Sequence, residues 1–258
     1  MKIPIYHVDA FAVEPFKGNP AAVCMLQSPR SDMWMQQVAA EMALSETAFL
    51  LPKGEGYNLR WFTPKTEVDL CGHATLASAH ILYEFGFFKP DETIAFYTLS
   101  GKITSSFSNG TIELDMPRRN PTPLPITPEI VDVLELEPRA AAVYTDQVLL
   151  VELESPEAVR NFEPDWKKIA TLQQVDLIIT APCSEKYDFI SRFFSPKTGI
   201  YEDPVTGMAH CVLAPYYAER LGKSKFHAYQ ASPRGGEVWA RLVEDRVYIG
   251  GKAVTVAQ

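Results

Sequence analysis

The 258-residue chain contains the same segment twice, and this repeat restricts the possible folds more than any other feature. Arg60 and Arg192 each begin a copy, which runs through a Phe-x-Pro-Lys-Thr loop to a glycine. The loops lie 132 residues apart, whereas the glycines, Gly72 and Gly207, lie 135 apart. The spacing of 135 then continues through a downstream hairpin. This correspondence is too long for chance, so we interpret the chain as an internal duplication.

In each copy the glycine opens an apolar helix, predicted over residues 74–85 and 209–221. A helix without a polar face is buried, and its first turn presents unpaired N–H groups and a positive dipole end. Such a helix start is an anion site. If the copies pack about a pseudo-twofold axis, both starts would point into one shared cleft. A single glycine would more simply permit close packing, but the duplicated pair, Gly72 and Gly207, favours the anion site.

Predicted strands outnumber helices, and each half holds one buried helix, so the expected fold class is α+β. We expect two pseudo-symmetric domains, each a curved sheet or partial barrel around its central helix. The proline-rich stretch 117–128 is the clearest boundary. It separates a predicted domain 1–117 from a second domain 118–251, and residues 252–258 could return to the first domain as a strand.

The composition excludes several classes of partner. A net charge of −8 and a pI near 5.2 argue against nucleic acids and anionic membranes. No apolar run approaches the length of a membrane span, and the N-terminus does not read as a signal peptide, so we expect a cytoplasmic protein. Four cysteines without paired spacing suit a reduced protein better than disulfides or zinc: Cys24, Cys71, Cys183 and Cys211.

Glu46 is the first candidate for chemistry, because it lies on a predicted apolar strand. There it would share a face with Ala48 and Leu50. Loss of water would raise its pKa into the range useful for general acid/base catalysis. The alternative is a glutamate at a strand edge that reaches solvent, and the pattern alone does not decide between them.

Three further residues lie at the two helix starts. His73 is in the first turn of the first helix, where the helix dipole should keep it neutral near pH 7. Asp203 precedes Pro204 and could accept hydrogen bonds from the second helix start. A capping or packed histidine and a simple Asx turn are the more common explanations for such residues in isolation. His210, one turn into the second helix, fits either a structural or a binding role.

Other chemistries lack their sequence signatures. His73 and His80 are seven residues apart, and no HxxxH or CxxC motif is present, so metal binding is disfavoured. Neither a Gly-x-Ser-x-Gly motif nor a glycine-rich nucleotide loop occurs. The remaining prediction is acid/base chemistry on a small anion without a cofactor.

Several of these segments resemble the phenazine-biosynthesis PhzF-like family. They are Val8-Asp-Ala-Phe11, Gly18-Asn-Pro-Ala-Ala-Val23, Ser45-Glu-Thr-Ala-Phe49, Leu70-Cys-Gly-His-Ala-Thr75, Glu202-Asp-Pro-Val-Thr-Gly-Met-Ala-His210 and Arg234-Gly-Gly236. The resemblance runs essentially from end to end. It implies a diaminopimelate-epimerase-like fold, a cofactor-free isomerase and a homodimer.

In the best-understood member of this family, a glutamate matching Glu46 moves a proton between two carbons of dihydro-hydroxyanthranilate. Residues matching His73 and Asp203 assist, so these three are the expected catalytic residues. The substrate carboxylate would lie at the helix starts. The expected substrate-binding residues are Asn19, Ser45, Gly72, Ala74, Gly207, Met208 and His210.

The sequence departs from the family pattern at two positions, so other functions remain as alternatives. Related epimerases use one cysteine before each helix glycine, but here Cys71 is matched by Thr206, so a two-thiol racemase is incomplete. Met208 stands where PhzF-like proteins often have a small residue, which puts the phenazine substrate in doubt. A racemase or epimerase of an amino or hydroxy acid, using Cys71 with Glu46, is the second hypothesis. A binding or scaffold protein without activity is the third.

Overall fold

The computed structural model describes residues 2–184 and 186–258, and the chain divides into two compact units. Unit 1 is formed by Met1–Met116 with Tyr248–Gln258, and unit 2 by Pro117–Val247. The helices are α1 (Asp32–Met42), α2 (Gly72–Glu84), α3 (Pro128–Leu134), α4 (Pro156–Arg160), α5 (Trp166–Ile169) and α6 (Gly207–Leu221), with a 3₁₀ turn at Pro196–Thr198.

The strands of the first half are β1 (Ile5–Ala10), β2 (Asn19–Met25), β3 (Glu46–Lys53), β4 (Gly56–Phe62), β5 (Glu67–Val68), β6 (Ile94–Thr98), β7 (Gly101–Ser108) and β8 (Thr111–Pro117). Those of the second half are β9 (Thr122–Leu124), β10 (Ala140–Tyr144), β11 (Val148–Glu152), β12 (Asp176–Pro182), β13 (Phe189–Ser195), β14 (Ile200–Asp203), β15 (Lys225–Gln230), β16 (Gly236–Val243), β17 (Arg246–Gly251) and β18 (Ala253–Ala257).

In unit 1 the sheet mixes antiparallel and parallel pairs. The last strand, β18, pairs antiparallel with β1, which pairs antiparallel with β2. The β2–β3 pair is parallel and the β3–β4 pair antiparallel. The β4–β6 pair is again parallel, and β7 follows antiparallel. The short strand β5 also pairs with β4.

In unit 2 the same order of pairings occurs. Strand β9 pairs antiparallel with β10, and β10 with β11. The β11–β12 pair is parallel, β12–β13 antiparallel, β13–β15 parallel and β15–β16 antiparallel. The short strand β14 pairs with β13, as β5 does with β4. Each parallel pair is the point at which the connecting segment must cross over, and helices occupy those connections.

The two longest helices, α2 and α6, are largely buried in the described structure, because both are apolar on nearly every side. In unit 1, α2 packs on β1, β2 and β3. In unit 2, α6 packs on β16. Each unit is therefore a mixed sheet with one buried helix, which confirms the predicted α+β class.

Local differences from the expected elements have identifiable causes. The sequence also predicts a helix over residues 165–173, but α5 ends at Ile169. The backbone N–H groups of Thr171 and Leu172 donate to carbonyls three residues back, which tightens the chain after α5. Strand β15 and helix α4 were not predicted, although Ser155 followed by Pro156 is a helix-start signal. Within the described part of the chain, none of the helices is long and apolar enough to cross a bilayer.

Candidate functional site

In unit 1, the starts of three elements bring four of the predicted site residues together. Asn19 begins β2 and Glu46 begins β3, and the parallel β2–β3 pair sets their strand starts side by side, with Ala21 opposite Glu46. His73 is the second residue of α2, which packs on the same strands. Ser45 immediately precedes β3.

His73 lies at the centre of this group. Its Nε2 is 3.2 Å from Oε2 of Glu46, and its Nδ1 is 3.1 Å from Nδ2 of Asn19. The Ser45 hydroxyl is 3.5 Å from Nε2 and donates to Oδ1 of Asn19 at 3.3 Å. Glu46 and His73 are both buried, with 8% and 5% of their surface exposed. The cluster is thus a hydrogen-bonded acid/base group largely withdrawn from water.

The structure corrects the expected protonation of Glu46. Burial does act to raise the pKa of this carboxyl, as its apolar strand implied. Hydrogen bonds from His73, Ser45 and Cys71, together with the charge of His73, outweigh burial and hold the pKa below its ordinary value. The prediction of a raised pKa was therefore wrong, and Glu46 is a carboxylate at neutral pH.

The expected neutral state of His73 is also wrong. Burial disfavours the imidazolium, but the neighbouring Cys71 and Glu46 outweigh burial and raise the pKa of His73 above its usual value. The contacts of the ring with Cys71 and Glu46, which the sequence pattern could not reveal, favour its charged form.

Cys71 is the third reactive side chain of this group. Its Sγ is 3.6 Å from Nδ1 of His73, and donor atoms of Glu46, Cys71 and His73 all lie within 4.8 Å of one another. Such a set of oxygen, sulfur and nitrogen donors has the chemistry of a metal ligand set. Burial and the charge of Glu46 raise the pKa of Cys71 to about 11, so without a metal the thiol stays protonated at neutral pH.

In unit 2, Asp203 belongs to a second buried polar network. Its Oδ2 accepts a hydrogen bond from the Thr206 hydroxyl at 2.5 Å. Gln230 donates to the Asp203 carbonyl at 2.7 Å and to the Thr206 hydroxyl at 3.2 Å. The side-chain oxygen of Gln230 accepts from the backbone N–H of Thr206 at 2.8 Å. Sequence reasoning missed Gln230, because the strand that carries it, β15, was not predicted.

The starts of α2 and α6 differ from the other helix starts in the chain. The N-cap side chains of α1, α3, α4 and α5 each accept a hydrogen bond from a first-turn N–H. Within the described residues, the N-cap side chains of α2 and α6, Cys71 and Thr206, make no such bond. Because neither N-cap side chain accepts a hydrogen bond from its helix, the first-turn N–H groups at Gly72 and Gly207 remain available to another acceptor.

The other predicted binding residues lie in these first turns. Gly72 and Met208 are half-buried, whereas Ala74, Gly207 and His210 are buried. Nδ1 of His210 lies 2.9 Å from the Thr206 carbonyl, and burial lowers the pKa of this ring to about 4. His210 is thus neutral and donates to the backbone of its own helix. Its role in substrate binding stays a prediction.

The family model for phenazine biosynthesis-like proteins (PhzC-PhzF) matches residues 8–258. A protein named uncharacterized isomerase from Halalkalibacterium halodurans is 50% identical over 261 residues, which cover 99% of this chain and 97% of that protein. The crystal structure of a PhzF-family phenazine biosynthesis protein from Enterococcus faecalis has a TM-score of 0.95 at 43% identity, covering 100% of this chain and 98% of that one. The chain therefore belongs to the phenazine biosynthesis-like family, as its motifs predicted.

The fold is shared more widely than the family. A hydroxyproline epimerase from Agrobacterium vitis is similar with a TM-score of 0.63 at 10% identity, covering 99% of this chain and 91% of the epimerase. At this identity the likeness concerns the fold alone. It agrees with the predicted diaminopimelate-epimerase-like fold, which the comparisons confirm.

Proposed function

We propose that the protein is a cofactor-independent isomerase that moves a proton between two carbons of a small cyclic carboxylate or amino acid. The observation that carries this proposal is the buried contact of 3.2 Å between the Glu46 carboxylate and the His73 ring. The name isomerase of its relative and the shared family motifs support the same class of reaction.

In the proposed reaction Glu46 is the base. An oxygen of its carboxylate takes a proton from one substrate carbon, and the electron pair of that C–H bond delocalises into the conjugated system of the substrate. Glu46 then returns the proton to a second carbon, so that substrate and product are isomers and no atom is gained or lost. The His73 imidazolium offsets the negative charge of the reacting pair.

The substrate carboxylate is proposed to bind backbone N–H groups at a helix start. The candidates are Gly72 and Ala74 at α2 in unit 1, and Gly207 and Met208 at α6 in unit 2. In each unit the N-cap side chain leaves first-turn N–H groups unused. Negative charge that develops next to the carboxylate would be stabilised there by about 3 kcal/mol per well-placed donor. Asp203 is proposed to assist in orienting the substrate, held in place by Thr206 and Gln230.

The racemase alternative is weaker for two reasons. Burial and the Glu46 charge raise the pKa of Cys71 to about 11, so this residue is a poor base at neutral pH. Thr206, at the place of the second cysteine, uses its hydroxyl to hydrogen-bond Asp203. The thiol pair of a two-base racemase therefore has no functional counterpart in these two residues.

The test is incorporation of solvent deuterium into cyclic amino acids such as dihydro-hydroxyanthranilate. The wild-type protein is expected to catalyse incorporation at carbon. Glu46→Gln should bind the same compound and abolish incorporation, because the amide cannot accept the proton. Glu41→Gln is the matched control, since Glu41 is exposed on α1.

Incorporation that survives in Glu46→Gln would remove Glu46 from the proposed role. Binding without incorporation in the wild-type protein, for every cyclic carboxylate tried, would instead favour the inactive binding protein.

A further inference from the structure

Two arginine–glutamate ion pairs occur at equivalent places in the two units. Arg60 and Arg192 open the repeated segments, and their partners are Glu67 and Glu202. The arginines are 132 residues apart and the glutamates 135 apart, the same two spacings that relate the loops and the helix glycines. The pairs thus belong to the repeated part of the chain, although neither touches the acid/base groups described above.

Both pairs have the same two-pronged geometry. In unit 1, Nε and Nη2 of Arg60 each donate to one oxygen of Glu67 at 2.6 Å. In unit 2, the same two nitrogens of Arg192 donate to Glu202 at 2.7 and 2.9 Å. A planar guanidinium that meets a carboxylate in this way fixes orientation as well as distance, which a lysine cannot do.

The third nitrogen of each guanidinium donates a hydrogen bond to another residue of the same unit. Nη1 of Arg60 donates to Asp32 at the start of α1 at 2.7 Å. Nη1 of Arg192 donates to the carbonyl of Phe162 at 2.5 Å, and the Arg192 side chain is only 8% exposed. The pair in unit 2 is therefore buried, and loss of either partner would leave a charge without compensation.

Each glutamate lies just before a helix start. Glu67 is on β5, a strand of two residues, and four residues before Cys71 at the N-cap of α2. Glu202 is on β14, directly before Asp203 and four residues before Thr206 at the N-cap of α6. Backbone pairing over two residues stabilises β5 and β14 only weakly. We therefore expect the side-chain ion pair to fix the point at which each loop returns toward its helix.

We propose that Arg60–Glu67 and Arg192–Glu202 are duplicated positioning pairs, which set the first turns of α2 and α6 and, in unit 2, the Asp203 carboxylate. They act through the backbone and do not contact substrate. Their importance for catalysis rests on the proposed function, whereas their effect on the helix starts does not.

The test measures protection of backbone amides against hydrogen exchange in the full-length protein by mass spectrometry. Glu202→Gln should raise exchange in residues 202–210 and leave 67–75 unchanged, and Glu67→Gln should do the reverse. In a deuterium-incorporation assay, each variant should lose about tenfold or more in kcat/KM, because small displacements of aligned groups are costly.

The matched control is Glu152→Gln. Glu152 is a buried glutamate of unit 2 that accepts from Arg220 at 3.0 Å in the last turn of α6, away from the helix start. It should lower stability, as Glu202→Gln does, but leave exchange in residues 202–210 unchanged. Arg192→Lys keeps the charge without the two-pronged bond and should behave like Glu202→Gln in milder form. If Glu202→Gln is too unstable to study, the half-exposed Arg60–Glu67 pair carries the same test.

The proposal would be overturned if Glu202→Gln and Glu152→Gln showed equal protection of residues 202–210 against exchange, and if Glu67→Gln protected residues 67–75 as well as the wild-type protein does. This readout does not need catalysis. If even the wild-type protein fails to incorporate deuterium, the proposed function fails while the exchange pattern still decides the positioning role.

Discussion

Glu46 and His73 hold opposite charges away from water, which links the stability of unit 1 to pH in two directions. The pKa of Glu46 is lowered in the folded chain despite burial. The contribution of Glu46 to the stability of the fold is therefore present above the ordinary carboxyl range and is lost as pH falls through the folded pKa. The pKa of His73 is raised despite burial. The contribution of His73 to the stability of the fold is therefore complete below about pH 6.5 and is lost as pH rises through the folded pKa.

We therefore expect Glu46→Gln to be less stable than the wild-type protein by about 3 kcal/mol near pH 6, the scale for breaking a buried ion pair. The difference should shrink toward acid and toward alkaline pH. Urea unfolding across this range measures it, and NMR titration of the His73 ring in the variant should show a lower pKa than in the wild-type protein. A stability difference that is constant with pH would contradict the charged pair.

Cys71 offers a second prediction at this scale. Because burial and Glu46 raise the pKa of the thiol to about 11, alkylation by iodoacetamide should be slow at pH 7.5 and accelerate markedly above pH 10. Cys71→Ser should retain deuterium incorporation if Glu46 alone moves the proton. Cys183→Ser is a suitable control, since Cys183 is the cysteine that is only partly buried. Loss of incorporation in Cys71→Ser alone would favour the thiol-dependent racemase.

At the level of single residues, the sequence identified which side chains gather around His73 but not their charges. Asn19, Ser45, Glu46 and His73 belong to segments with specific family motifs, so their proximity was predictable. The protonation of Glu46 and His73 was predicted separately for each residue, from a strand face and from a helix dipole. Their mutual contact at 3.2 Å, together with their contacts with Cys71, reverses both results, and no single-residue pattern contains that information.

At the level of elements, the start of α6 is fixed by side chains from elsewhere in unit 2 rather than by its own cap. Gln230 on β15 contacts both the backbone and the hydroxyl of Thr206, which in turn donates to Asp203. All three residues are buried. The network is therefore costly to disturb, because polar groups that lose a partner there cannot turn to water.

Thr206→Val should lower the free energy of unfolding by about 2–3 kcal/mol, since it removes the two buried hydrogen bonds that the Thr206 hydroxyl makes with Asp203 and Gln230. Thr127→Ala removes the N-cap side chain of α3 and should cost only about 1 kcal/mol. Chemical denaturation measures both values, and deuterium incorporation should fall in Thr206→Val but not in Thr127→Ala. Equal effects of the two variants on incorporation would show that the network has no role in the site.

The elements that the sequence predicted well are those with strong local signals. The apolar helices that follow the two helix glycines belong to this group, as does the downstream hairpin, whose turn is Asn109-Gly110 between β7 and β8. Strands β5 and β14 lie in loops whose polar, proline-containing sequence does not suggest strands. They form because they pair with β4 and β13, and because Arg60 and Arg192 hold their glutamates.

At the level of the whole molecule, the last residues of the chain complete unit 1. Val8, Asp9 and Ala10 of β1 pair with residues of β18, and Gly251 precedes that strand. A Cβ atom added to Gly251 would collide with the ring of Phe11 and crowd Leu76 of the buried helix. The absence of a side chain at this position lets the returning chain approach the core of unit 1.

Gly251→Val should therefore lower the free energy of unfolding by about 1–3 kcal/mol through overpacking. Lys252→Ala, at the exposed neighbouring position, should leave it nearly unchanged. Thermal and urea unfolding of both variants check this expectation. A Gly251→Val variant as stable as the wild-type protein would mean that Phe11 can move aside at no cost.

The pairing of β1 with β18 also has a consequence for the order in which the protein is made. The residues of unit 2 lie between the two stretches that form unit 1, so the ribosome completes unit 2 before it reaches β18. Until then β1 exposes an unpaired edge, which is an opening for association with other chains. Unit 1 therefore stays incomplete until residues 253–257 have been translated, which is after all the residues of unit 2.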